Sequence, residues 1–302
     1  MALNLRAWII SFRLRTLPLA LSTIFMGSLV AAGQGQFRLS VLIWASLTTL
    51  FLQILSNMAN DYGDAVSGTD NEERQGPQRM IQKGVITLKQ MKKAMVLFGL
   101  LALISGIILI FKALSGHILM IVTFFLLGIS ALIAAIKYTV GSKPYGYRGL
   151  GDLFVFIFFG LLGVGGTYYL HAGSWQWPVL LPAVSIGAFS TGVLNLNNIR
   201  DINSDIKAGK RTIPVMIGRK MAAFYHLFLI LCGWMALIVW CIVYEPSRGP
   251  WLALLALPPF FVNGIAVLRF KAPLSGLDGQ LKNLTLGTLL MVILYGIGLY
   301  LF

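Results

Sequence analysis

The chain is poor in acids, cysteine and histidine: of 302 residues, ten are Asp or Glu, two are Cys and three are His. Both thiols, Cys232 and Cys241, fall inside one apolar stretch, which excludes a disulfide framework and a thiolate metal centre. His117, His171 and His226 are scattered, so no imidazole cluster is available as a metal site, and we assign them no chemistry. Charged residues make up 11% of the chain against 57% hydrophobic residues, with a mean hydropathy of +0.81. That balance excludes an ordinary soluble domain. A net charge of +14 would suggest nucleic acid in a soluble protein. Here Lys and Arg sit in short segments between apolar runs, so the charge reads as topology and no nucleic-acid partner is expected.

What is present is apolar length. Nine runs reach the about 17 to 25 residues that span a bilayer: near 17–33, 40–59, 94–111, 117–136, 152–171, 179–197, 221–244, 250–268 and 283–302. The predicted fold is all-α, a polytopic membrane bundle of nine transmembrane helices forming one domain over 1–302, because unpaired backbone cannot face lipid. The N-terminus and the segments 60–93, 137–151, 198–220 and 269–282 hold 21 of the 24 Lys and Arg; Arg38, Lys112 and Arg248 lie on the other side. This asymmetry places the N-terminus in the cytoplasm and the C-terminus outside. The stretch "AWIISF" before Arg13 makes a better interfacial helix than a signal-peptide n-region, so no cleavage is expected.

The few acids share that asymmetry. Asp61, Asp64, Asp70, Glu72 and Glu73 follow the second run, Asp152 opens the fifth, Asp201 and Asp205 follow the sixth and Asp278 precedes the ninth; only Glu245 lies outside. If the second helix continues past its lipid-buried part, Asn57, Asp61 and Asp64 fall at i, i+4 and i+7 on one face. A continued sixth helix places Asn197, Asp201 and Asp205 at i, i+4 and i+8. The repeated Asn-x-x-x-Asp pattern hints at an internal duplication. Both acidic stripes lie at helix C-termini, where the macrodipole disfavours carboxylates, so something positive must compensate. One reading is a set of solvated loop ends paired with Arg74, Arg200, Lys207, Lys210 and Arg211. The sharper reading is a divalent metal: carboxylates from two helices without His or Cys indicate a hard cation, and Mg²⁺ takes a few carboxylates together with substrate phosphates.

The basic residues of the same segments then gain a purpose. "GPQRMIQKG", "KYTVGSKPYGYRGLGD" and "RDINSDIKAGKRT" would surround a metal-bound polyanion with phosphate donors. No nucleotide-binding motif is present, since "GVGG" at 163–166 lies mid-helix and lacks the strand such motifs need. A diphosphate with a long apolar tail fits better, its head at the inner mouth and its tail among the helices or lipid. Metal at an allylic diphosphate would stabilise the charge that develops on ionisation, and Tyr62, Tyr138, Tyr145 and Tyr147 are candidates to face the carbocation or to anchor the interface.

"NDYGD" at 60–64 and "RDINSD" at 200–205, each after an apolar helix, resemble the paired aspartate motifs of the UbiA superfamily of membrane prenyltransferases. The resemblance spans the whole chain from "RLRTLP" at 13–18. Within the superfamily, "NDYGDAVSGTD", "KYTVGSKPYGYRGLGD" and "NNIRDINSDIKAGKRT" are similar to the branch that prenylates 1,4-dihydroxy-2-naphthoate in menaquinone synthesis. What the resemblance implies is a central cavity open to the cytoplasm and to lipid in a bacterial inner membrane, with Mg²⁺ bridging the motifs to a polyprenyl diphosphate. The implied reaction loses diphosphate and CO₂ to give demethylmenaquinone. The implied metal ligands are Asp61, Asp64, Asp201 and Asp205, with Asn57, Asn60 and Asn197 holding metal or its waters. The family pattern has a third Asp where this chain has Gly68, which makes Asp70 a further candidate. Arg79, Lys137, Lys143, Lys207, Lys210 and Arg211 form the pool for diphosphate and acceptor carboxylate, with Tyr138 and Tyr145 beside them. Asp152 either compensates a helix N-terminus or orients or deprotonates the acceptor hydroxyl. Two other classes compete: a transporter would need polar residues at mid-membrane, where no acid or base falls, and a scaffold would leave the acidic stripes unexplained. Within the enzyme class, 4-hydroxybenzoate and homogentisate are alternative acceptors.

Overall fold

Leu119 and Leu126 are 69% and 61% exposed in a helix whose only buried residue is Ala134; an apolar surface of that extent is stable only against lipid. That helix, α5 (Ile118–Lys137), is one of nine in the computed structural model that are long and apolar enough to cross a membrane, among the described residues 4–68, 79–245, 249–269 and 276–301. The chain is a multi-pass α-helical membrane protein. Its other elements are α1 (Leu5–Phe12), α2 (Leu17–Gly33), α3 (Leu39–Ser67), α4 (Leu88–Leu114), α6 (Gly151–Ala172), α7 (Leu180–Arg200), α8 (Ile202–Lys207), α9 (Ile213–Val243), α10 (Leu257–Arg269) and α11 (Leu277–Leu301). All nine predicted runs are found, and at the basic end several helices overrun them: α3 reaches Ser67 and α4 begins at Leu88, where Thr87 and Gln90 form a capping box.

The helix α7 is the hub. It packs along α9, the middle of α6 and α11, and Ala183, Ile186 and Phe189 are fully buried. Contact with α6 is close because both sides are small: a Cβ on Gly160 would lie 2.6 Å from the Ala183 carbonyl and 2.9 Å from Gly187 Cα. Without a hydrophobic drive between helices in lipid, such small-residue contacts supply packing energy. Residues Phe156–Gly166 of α6, including the "GVGG" stretch, form a π-helical segment.

The predicted interfacial helix is α1, capped by Asn4, with Leu5, Ile9 and Ile10 exposed and Ala7 and Ser11 buried. It ends at Arg13 (φ 50°, ψ 58°), which among the described residues alone combines a side chain with positive φ. Such a conformation costs on the order of 1–3 kcal/mol and persists only where the surroundings fix it.

Gly63 sits between Asp61 and Asp64 and lets the segment after α5 close onto α3. A Cβ there would lie 2.6 Å from the Thr139 carbonyl oxygen and 2.8 Å from its carbon, backbone atoms that cannot rotate away. Gly63→Ala is therefore expected to destabilise the protein by about 1–3 kcal/mol, the usual cost of overpacking. Gly128→Ala, where nothing lies within 4 Å, should leave stability unchanged or slightly raised; thermal unfolding of both variants in detergent checks the contrast.

Candidate active site

The continued helices predicted from spacing are real. Asn57, Asp61 and Asp64 lie on one buried face of α3, at 3%, 2% and 5% exposure. On the other side α7 ends at Arg200 and α8 starts at Ile202, so Asp201 sits at a break rather than inside one helix. The bonds from Asp201 N–H to the Asn197 carbonyl (3.1 Å) and from Asp205 N–H to the Asp201 carbonyl (2.9 Å) nonetheless keep both acids on one side.

The two stripes meet in one polar cavity. Asn60, Asp64, Asn197, Asp201 and Asp205 line it together with Arg13, Arg79, Tyr138, Tyr147 and Lys210. Each acid has a cation. Arg79 bridges the first motif, its Nε 3.2 Å from Asp61 Oδ1 and a terminal nitrogen 2.6 Å from Asp64 Oδ2, while donating to the Asn60 carbonyl at 2.7 Å. Arg13 donates to Asp61 and Tyr147 to Asp64. Lys210 joins the motifs, 3.1 Å from Asp64 and 3.6 Å from Asp205, and lies over the Tyr147 ring. Arg200, 1% exposed, clasps Asp201 at 2.9 and 2.6 Å and reaches Asp278 at 2.5 Å.

Burial pushes the Asp205 carboxyl up to about 6; Lys210 opposes the shift, and the Asp201 and Asp64 carboxylates add to it. Burial also raises the Tyr138 hydroxyl, with Asp152 and Tyr145 adding to the shift. Lys210 is thus shared between Asp64 and Asp205, and Asp64 also has Arg79. Thr212, buried and on the cavity wall, has a hydroxyl with no partner among the described residues. Among the described residues no three of Asp, Glu, His and Cys converge enough to enclose an ion unaided. The donor set, carboxylates and amides, fits a hard divalent cation that completes its shell from a substrate's phosphates and water.

Several predicted site residues lie elsewhere. Asn57 points to the strained N-terminal turn, donating to the Phe12 carbonyl and Thr16 hydroxyl at 2.9 Å each, so it is not the counterpart of cavity-lining Asn197. Lys137, Lys143, Lys207 and Arg211 are exposed and outside the cavity wall. Tyr145 also stands behind it, its hydroxyl donating to the Ala134 carbonyl and its ring stacked on Phe154. Asp152 is buried under Tyr138, off the wall. Asp70 lies outside the described residues, and Gly68 ends α3 in the left-handed conformation (φ 70°) that favours glycine. Arg13, Asn198 and Thr212 line the cavity without having been singled out for it; the one sequence signal for Arg13 was its place in "RLRTLP".

Comparison with known proteins follows this geometry. Residues 20–278 match the model of the UbiA prenyltransferase family. The chain is 43% identical to the 1,4-dihydroxy-2-naphthoate octaprenyltransferase of Escherichia coli (strain K12), over 98% of this chain and 96% of that protein. Among solved structures, the apo UbiA homolog from Aeropyrum pernix K1 superposes with a TM-score of 0.70 at 18% identity, covering 94% of this chain and 96% of the other. The UbiA homolog from Archaeoglobus fulgidus bound to DMAPP and Mg²⁺ gives a TM-score of 0.57 at 17% identity, covering 95% and 98%. A bundle of apolar helices, with two acidic motifs meeting at its basic end, thus belongs to the UbiA prenyltransferase family.

Proposed function

We propose that the protein transfers a polyprenyl group from a polyprenyl diphosphate to 1,4-dihydroxy-2-naphthoate, releasing diphosphate and CO₂ and forming demethylmenaquinol, the reduced form of demethylmenaquinone. The observation that carries this reading is the meeting of the two acidic motifs with Arg13, Arg79 and Lys210 in one buried cavity at the end of an apolar bundle. The near full-length likeness to the Escherichia coli enzyme supports the acceptor. The excess of Lys and Arg at the cavity end supports a cytoplasmic active site in a bacterial inner membrane.

The residues divide the work. Asp61, Asp64, Asp201 and Asp205, with the Asn60 and Asn197 amides, would hold Mg²⁺, which when bound offsets the charge of the departing diphosphate. Arg13, Arg79 and Lys210, paired with carboxylates in the free protein, would supply donors to phosphate oxygens where the leaving group gathers charge. Burial of the cavity walls excludes water that would capture an allylic cation. The Tyr138 and Tyr147 rings present negative faces to that cation. The bond from prenyl C1 to oxygen breaks with its electron pair leaving on diphosphate. The ring carbon bearing the carboxylate bonds to C1, and CO₂ departs, returning its bonding pair to the ring. The apolar tail lies among the helices or in lipid.

The direct test is product analysis by mass spectrometry, using purified protein, 1,4-dihydroxy-2-naphthoate and a polyprenyl diphosphate. A prenylated, decarboxylated naphthoquinol is expected with Mg²⁺ and none with EDTA; product from another phenolic acceptor alone would reassign the acceptor. Asp61→Asn and Asp201→Asn should each lower turnover more than 100-fold while the protein still folds, and wild-type rates in either would remove the metal assignment. Asp205→Asn should be inactive with thermal stability unchanged or raised, because it removes a buried charge that shares its ammonium with Asp64. Lys112→Ala, at the opposite end, should leave turnover unchanged. A readout independent of turnover is thermal stabilisation by Mg²⁺ plus inorganic diphosphate: about 2.7 kcal/mol is expected at 100 times the dissociation constant, and none in Asp61→Asn.

A further inference from the structure

Arg13, Arg79 and Lys210 stand on the cavity wall, where a bound phosphate would meet them, and Arg200 does not: it is fully buried behind Asp201, off the wall. Its contacts are with protein acceptors. Nε donates to Asp201 Oδ1 at 2.9 Å, one terminal nitrogen to Asp201 Oδ2 at 2.6 Å and to the Asn197 amide oxygen at 2.7 Å, and the other to Asp278 Oδ1 at 2.5 Å. One guanidinium thus holds the two second-motif side chains that line the cavity, Asn197 and Asp201, and ties them to α11, 78 residues further along the chain.

That grip creates an electrostatic problem. A fork on both oxygens of Asp201 neutralises the carboxylate, and a neutralised carboxylate is a poor ligand for a hard cation. Asp278 resolves it, because one guanidinium set between two carboxylates leaves the trio with a net negative charge. Arg15 also faces Asp278 and Asp201, but from an exposed position and without an ion pair among the described residues, so solvent and salt screen it. The place of Asp278 suits the task. It lies in the first turn of α11, where the helix N-terminus favours a carboxylate, and that turn is pinned from α10 by Asn263, which donates to the Gln280 carbonyl at 2.9 Å and to its side-chain oxygen at 3.1 Å. Its side chain is 33% exposed, against 10% for Asp201, and lies off the wall, so Asp278 carries charge at little desolvation cost.

We propose that Asp278 is a positioning residue for the metal site: acting through Arg200, it holds the Asp201 carboxylate and the Asn197 amide at the cavity and keeps Asp201 anionic enough to take a divalent cation. This rests on the proposed prenyl transfer and adds that metal affinity is set in part from α11. Partners behind a metal ligand orient it and tune its basicity, and their loss commonly weakens metal binding 10- to about 100-fold.

The test is a Mg²⁺ titration of thermal stability, using full-length protein in detergent at a fixed concentration of inorganic diphosphate. Asp278→Asn keeps an oxygen for Arg200 and removes the charge, so the Mg²⁺ concentration giving half the stabilisation should rise about tenfold. Asp278→Glu keeps the charge and should recover most of that loss. Without ligand, the unfolding temperature should match the wild type in both variants, whereas a purely structural tie would lower that temperature and leave the Mg²⁺ midpoint alone. Arg200→Lys, a point charge that cannot span Asp201, Asn197 and Asp278 together, should raise the same midpoint, and adding Asp278→Asn to it should change little more. A midpoint unchanged in Asp278→Asn, an equal rise in the Asn and Glu variants, or independent effects in the double variant would reduce the Arg200–Asp278 contact to a tie between α7 and α11 and overturn the proposal. A wild-type protein that Mg²⁺ plus diphosphate does not stabilise would overturn the function reading itself.

Discussion

Everything at the basic end follows from having to keep carboxylates ionised at the wrong ends of helices inside a low-dielectric bundle. Asp61 and Asp64 stand in the last turns of α3, and Asp201 just past α7, where backbone carbonyls already concentrate negative charge. A buried carboxylate without a partner is costly. The fold therefore brings cations from distant parts of the chain: Arg13 from the turn after α1, Arg79 from the segment before α4, Lys210 from the loop after α8. These contacts tie the turn after α1, the end of α3, the segment before α4 and α8 to one point. The strained backbone at Arg13 is held there by its ion pair with Asp61 and by the Asn57 amide, which fixes the preceding carbonyl.

The same contacts make the site ready for exchange. Arg and Lys that neutralise acids in the free protein are the donors a diphosphate needs, and the acids they leave are the oxygens a divalent ion needs. Substrate and metal would replace one set of charge pairs with another rather than uncover isolated charges, which keeps the electrostatic cost of binding low. The Asp205 carboxyl, raised by burial, and the Thr212 hydroxyl, unmatched among the described residues, stand out in the free protein.

Away from the site, buried polar groups serve as pins. His171 accepts the Arg38 N–H at 3.0 Å and its other nitrogen meets Ser28 at 2.8 Å, while the Arg38 guanidinium donates to carbonyls at the ends of α4 and α6. His226 meets Asn263 at 2.7 Å, and Asn263 donates to the Gln280 carbonyl at 2.9 Å. Such interhelical hydrogen bonds fix the register of helices whose apolar faces alone would slide. Gln280 lies two residues from Asp278, so the pin that orders α11 also supports the carboxylate that Arg200 grips.

The sequence by itself determined the architecture and which acids share one end of it. Apolar length alone counts the spans, because a bilayer has a fixed thickness. The period of 3.6 residues alone puts Asn57, Asp61 and Asp64 on one face. Scarcity drew attention to the acids: nine of ten at one end is legible without coordinates. Which cation meets which acid was decided only by the tertiary structure. Arg13 and Arg200 read as topological or surface charges yet are paired with the aspartates, Arg200 in full burial, while Lys137, Lys143, Lys207 and Arg211 sit in the right segments and are exposed. Position in a loop says which end of the membrane a side chain occupies. Its direction depends on how the loop folds over the bundle, a non-local packing outcome that spacing along the chain does not encode.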